Sequence, residues 1–161
     1  NEFLHGSIMN EEWVEEKENE EKEVENFVLG GRTNTNEVKE IEIYGQSIED
    51  FSPLSRCDRL VSLILQDCTL GCLDSLSGCV SLAYLDMRGS TGFWDISVLA
   101  GIDSLLYLDL HSCADVSDIS PIMDKSLSVL HTCETGVTYE QTMEYKQKHP
   151  ECEVWYDNHV I

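Results

Sequence analysis

One phrase recurs through most of this chain: apolar-x-x-apolar-x-apolar, opened in turn by Val38, Leu60, Leu82, Leu105 and Leu127 at spacings of 22, 22, 23 and 22 residues. A fixed period of this length is the mark of a repeat architecture. The copies read VKEIEI, LVSLIL, LAYLDM, LLYLDL and LSVLHT, and the last departs from the pattern because Thr132 stands at the third apolar place. Three residues beyond that place comes a small or polar side chain (Gln46, Cys68, Ser90, Cys113, Thr135). Apolar columns follow at Ile48, Leu70, Phe93 and Val116, at Phe51, Leu73, Ile96 and Ile119, and at Leu54, Leu76, Leu99 and Ile122.

The period limits what each copy can build. Apolar-x-apolar alternation is a short strand with successive side chains on opposite faces. Twenty-two residues leave no room for a full return helix, so the return is extended or made of short 3₁₀ segments. One copy cannot bury its own apolar face; parallel stacking at about 4.8 Å closes the core. The polar column falls where the chain bends away from the strand and can satisfy backbone groups there.

The phrases LVSLILQDCTL, LAYLDMRGSTGF and LLYLDLHSCADV resemble the leucine-rich repeat family, whose pattern is LxxLxLxxN/CxL. The resemblance covers residues 38 to about 137. It implies an α/β solenoid with parallel strands on a concave face, extended or 3₁₀ returns on a convex face, and a protein-binding role without catalysis. The repeat length is similar to that of the leucine-rich repeat regulatory subunit of protein phosphatase 1 and of the leucine-rich repeat light chain of axonemal dynein. Many members end in a helix and an edge strand. Residues 138–161 fit such a cap: Thr138 is an N-cap with Gln141 three residues on, Pro150 follows the helix, and Cys152, Val154 and Tyr156 alternate with charged or polar neighbours and Trp155.

Residues 1–37 differ from the rest. Glu11 to Glu25 hold nine Glu against two Lys. Helix propensity is high, though like charges at i,i+4 oppose it. The expectation is a helical or partly disordered acidic segment, with Trp13 and Phe27 as its anchors, broken at Gly30-Gly31 and joined by polar residues 32–36 to the repeats.

Asp plus Glu is 31 and Lys plus Arg is 10, for a net charge of −21 among 161 residues. That surface repels phosphate backbones and anionic lipid, so a basic nucleic-acid or membrane interface is excluded. The apolar runs are too short to span a bilayer. Seven cysteines, mostly at repeat positions, suit small buried hydrophobes better than a disulfide framework and point to a reducing intracellular compartment. The expected location is cytoplasmic or cytoskeletal, or mitochondrial if Asn1 follows a cleaved presequence. The CxxxC pair Cys68 and Cys72 has no companion ligand pair, and no metal or other cofactor is expected.

The register also says which side chains face outward on the concave side. They include Tyr44, Ile64, Tyr84, Asp86, Arg88, Tyr107, Asp109, His111 and His131. Tyr84 and Tyr107 fall on neighbouring strands, and exposed Tyr on a sheet face suits a contact surface. With Glu42, Asp86 and Asp109 adding negative charge, a basic segment or a multisubunit complex is the expected partner. His111 and His131 near Cys133 could form an acid/base or metal group, but an open face excludes no water. The sequence therefore predicts a non-catalytic interaction scaffold, a structural or adaptor subunit of a larger assembly, organellar and ciliary complexes included. The alternative is a regulatory subunit that binds and tunes an enzyme such as a phosphatase or a dynein motor.

Overall fold

A computed structural model describes residues 22–161. In chain order the strands are β1 (Asn26–Leu29), β2 (Arg32–Thr35), β3 (Glu40–Tyr44), β4 (Ser47–Ile48), β5 (Ser62–Gln66), β6 (Thr69–Leu70), β7 (Tyr84–Asp86), β8 (Tyr107–Asp109) and β9 (Val129–His131); helix α1 (Tyr139–Lys148), β10 (Glu153–Tyr156) and β11 (His159–Val160) follow. The main sheet has the order β11-β10-β9-β8-β7-β5-β3. All its pairings are parallel except β10 with β11.

The register is the one the repeat demands. Ile41, Leu63, Leu85, Leu108, Leu130 and Val154 sit opposite one another across the strands, and none is more than 3% exposed. The returns are 3₁₀ turns at Ser52–Arg56, Asp74–Gly78, Ser97–Gly101 and Ser120–Ile122. Each buries one residue of the expected column: Leu54, Leu76, Leu99 or Ile122. Three of the four open on an aspartate whose carboxylate accepts the backbone N–H two residues on: Asp50, Asp95 and Asp118, each at 2.8 Å. The turns stack so closely that a Cβ on Gly78 would meet the Ser55 carbonyl oxygen at 1.9 Å. On the convex side β4 and β6 add a second, short parallel pair.

After each concave strand of the repeats the chain turns through one left-handed residue: Gly45, Asp67, Gly89, Ser112 and Glu134 have φ between 54° and 70°. The three middle members of the polar column then point inward, while Gln46 is exposed and Thr135 Oγ1 donates within its own repeat to the Thr132 carbonyl at 2.7 Å. Cys68 Sγ donates to the Ile43 carbonyl at 3.6 Å, Ser90 Oγ to Leu65 at 2.6 Å, and Cys113 Sγ to Met87 at 2.9 Å. Each reaches back to the preceding strand, so the column ties neighbouring repeats together where carbonyls would otherwise be buried without partners.

The N-terminal region differs from the sequence expectation within the described residues. Residues 26–35 are a β-hairpin, not the end of a helix and a polar joint. Gly30 and Gly31, at φ 55° and 76°, form its two-residue turn. Phe27 and Leu29 alternate with Asn26 and Val28, and Leu29 closes the core at 2% exposure while Phe27 packs against it. Asn36 locks the hairpin to the preceding chain: its side chain donates to the Glu23 carbonyl at 2.9 Å and accepts from Glu25 N–H at 3.1 Å. Arg56 pairs with Glu25, and Lys22 lies 2.9 Å from Asp58. The expectation for Trp13 and most of the acidic stretch falls outside the described residues.

The other end is closed by α1. Thr138 Oγ1 accepts from Gln141 N–H, as the capping pattern requires. Tyr145 is completely buried, and its hydroxyl donates to the Lys125 carbonyl at 2.5 Å while accepting from Leu127 N–H at 3.1 Å.

Candidate functional site: the concave face

Two columns dominate the concave surface. One runs Glu40, Ser62, Tyr84, Tyr107, Val129, Glu153; the other runs Glu42, Ile64, Asp86, Asp109, His131, Trp155. In the first, the Tyr84 and Tyr107 rings stack with centroids 4.1 Å apart and planes 11° from parallel. In the second, His131 stacks on Trp155 at 5.1 Å and 7°. Tyr107 and His131 link the two pairs diagonally at 6.2 Å. Strand spacing close to the thickness of paired rings makes such stacking the natural packing of neighbouring planar groups.

Beneath the rings lies a charged layer. Asp86 and Asp109 are 1% and 2% exposed. This corrects the expectation that they present negative charge to a partner. Each carboxylate turns back on its own chain, Asp86 accepting the Arg88 N–H at 3.0 Å and Asp109 the His111 N–H at 2.8 Å. Arg88 bridges both, at 2.9 Å to Asp86 and 3.5 Å to Asp109. Gln66 Nε2 donates to Asp86 at 2.8 Å. The hydrogen bond with Asp86, together with both carboxylate charges, raises the Arg88 pKa above its ordinary range. The pair is a satisfied support beneath the face.

Of the other expected contact residues, Tyr44 and Arg88 are exposed, and Ile64, Tyr84, Tyr107, His111 and His131 are half-buried at the surface. Tyr44 donates to Glu42 at 3.3 Å. Arg88, Asp109, His111, His131, Cys133, Trp155 and Asn158 line a shallow cavity of about 200 Å³. Burial lowers the His131 pKa, reinforced by His111 and Arg88 and opposed by Asp109 and Glu153. His111 lies 3.8 Å from Glu134. Cys133, expected on this face, is buried at 2%. Among the described residues, no group of three His, Cys, Asp or Glu side chains is placed to hold a metal ion.

Trp155 is the site residue that sequence reasoning missed. The signal lay in the cap: Val129 pairs with Glu153 and His131 with Trp155, so the terminal strand continues both columns at an offset of 24 rather than 22 or 23.

The solved structures it resembles share this architecture. A leucine-rich repeat protein of Leptospira interrogans superposes with a TM-score of 0.64 at 15% identity, over 73% of this chain and 31% of that one. Internalin C2 of Listeria monocytogenes gives 0.65 at 19% identity, over 77% and 55%. A further internalin of the same organism gives 0.55 at 16%, over 78% and 46%. The chain has the leucine-rich repeat fold. No protein-family model matches the sequence, and none of the curated proteins does. This leucine-rich repeat chain spans between about a third and just over half of the solved structures it matches. No helix among its described residues is long and apolar enough to cross a membrane.

Proposed function

We propose that the chain is a non-catalytic interaction scaffold, a structural or adaptor subunit whose concave face docks an extended, basic segment of a protein partner. The observation that carries this reading is the row of stacked rings, Tyr84 on Tyr107 and His131 on Trp155. Rings held in register by strands offer rigid contact area with little rotamer freedom left to lose on binding. Glu40, Glu42 and Glu153 stand exposed along the same columns, and the net charge of −21 favours encounter with a cationic segment. The buried cysteines at repeat positions suit a reducing compartment. A face of about six strands spans only about 25 Å. That area favours a linear segment over a second globular domain unless other surfaces join the contact.

The test is selection from a displayed random-peptide library on the purified chain. Enriched peptides should be basic. They should lose at least about tenfold in affinity when Tyr84 and Tyr107 are both replaced by alanine, the loss expected of central interface rings, with the fold checked by circular dichroism. A library that yields no binders, or binders indifferent to the double substitution, would overturn the reading.

A further inference from the structure

Within that docking surface, and resting on it, one place has a defined shape. Tyr84 and Tyr107 are direct neighbours across β7 and β8, and their rings are nearly parallel at 4.1 Å. The ring normals therefore run along the row of strands. One face of Tyr84 is spent on Tyr107. Tyr107 spends its other side on the Val129 and His131 flank. The second face of Tyr84 looks toward β5, where its register partner is Ser62. Serine is too short to cover a phenol ring. Beyond it, on β3, the same row ends in Glu40, and Glu42 stands opposite Ile64.

The result is a slot one strand wide. Tyr84 is its aromatic wall, Ser62 its floor, Ile64 its apolar side, and the two glutamates stand at its far end. From Tyr84 to Glu40 the row spans two strand spacings, about 9.5 Å. A planar cation stacked on the ring would fill the middle of that gap and meet the carboxylates on its other side. Glu40 and Glu42 are exposed, and neither takes part in an ion pair among the described residues. Arg88, by contrast, is already held by Asp86 and Asp109.

We propose that this slot is a binding site for an arginine side chain of the partner segment. The guanidinium stacks on the free face of Tyr84 over Ser62 and pairs with Glu40 and Glu42. Arginine suits it better than lysine, because a flat, weakly hydrated guanidinium can use the ring face and the carboxylates together.

The probe is N-acetylarginine amide, titrated at millimolar concentration against the chain with the Tyr84 ring followed by NMR. The ring resonances should shift with the arginine amide. They should shift much less with the lysine amide, and not at all with the citrulline amide, which keeps the shape but not the charge. Ser62→Tyr fills the slot by extending the stack and should weaken arginine binding at least about tenfold, while Tyr84→Phe keeps the ring face and should retain it. Glu40→Gln with Glu42→Gln should weaken it severalfold. No shift at Tyr84, or equal shifts with citrulline, overturns the proposal. The two readings fail separately. Library peptides that need Tyr84 and Tyr107 but tolerate Ser62→Tyr would overturn the arginine slot and leave the docking surface standing. Arginine amide bound at Tyr84 without any selectable peptide would do the reverse.

Discussion

At the scale of single residues, the same chemical device appears after two concave strands and before three of the four 3₁₀ turns. A short polar side chain captures a backbone group where the regular ladder stops. Asp86 and Asp109 do so at the concave side, Asp50, Asp95 and Asp118 at the convex side, and Ser90 in the core between them. This explains why an outward-facing register misjudged the two concave aspartates. Periodicity says which way a side chain leaves the strand; it does not say whether a carboxylate folds back onto the next turn. Ser90 is the most exacting case, because its hydroxyl donates to the Leu65 carbonyl and accepts from Cys68 N–H at 3.0 Å, all at 1% exposure. Ser90→Ala would leave both groups buried and unpaired. The expected loss is about 1–3 kcal/mol of stability, read as a lower urea midpoint at unchanged slope. Ser90→Cys keeps a weak donor of the kind its column uses at Cys68 and Cys113, and should recover part of the loss. Equal stability of the alanine variant would remove the column's proposed role.

At the scale of elements, the repeats were readable and the ends less so. Five copies of one phrase fix strand, turn and register together, since each copy must place its leucines against the next. The hairpin at residues 26–35 has no such redundancy. Its strands carry only Phe27 and Leu29 as inward residues, and the dense glutamates just before them outweigh that short alternation in any local reading. The cap was legible as helix and strand because Thr138 and Pro150 mark the helix limits; Trp155 was not placed because the cap lengthens the period. What holds α1 in place is more specific than its apolar face. Tyr145 ties it to the chain leaving the last 3₁₀ turn, through one donated and one accepted bond. Tyr145→Phe keeps the ring and removes only those bonds, leaving the Lys125 carbonyl and the Leu127 N–H with their mutual bond at 3.1 Å. A loss of about 0.5–1.5 kcal/mol is expected, the net value of an ordinary hydrogen bond. Hydrogen exchange should localise it, with amides of α1 and β10 opening before those of β5 and β7. Uniform loss of protection along the sheet would show that the cap is not a separate unit.

At the scale of the whole molecule, the solenoid has buried acids that titrate only at high pH. Burial pushes the thiols of Cys79 and Cys113 up to about 12, from an ordinary value of 9. It also raises Cys57, Cys152, Tyr107 and Tyr145. In the unfolded chain these groups give up protons near pH 9 to 10; in the folded chain they hold them. A group with a raised folded pKa contributes its full share of stability below the unfolded value and loses it as pH climbs toward the folded one. Stability should therefore be flat from about pH 7 to pH 8.5 and fall steeply between pH 9 and pH 12, because unfolding there releases protons that the fold retains. A second cause acts in the same direction, since a chain already at −21 grows more negative and repels itself. Salt separates the two. Repulsion between exposed charges is largely screened at 1 M, where the Debye length is about 3 Å, whereas the cost of ionising a buried thiol is not. Urea midpoints measured from pH 7 to pH 11 in low and high salt should keep most of the alkaline fall at high salt. Cys79→Ala and Cys113→Ala should each flatten it while lowering the plateau. A fall that vanishes in salt, or one indifferent to both substitutions, would assign the alkaline limit to net charge and leave the cysteine columns as packing alone.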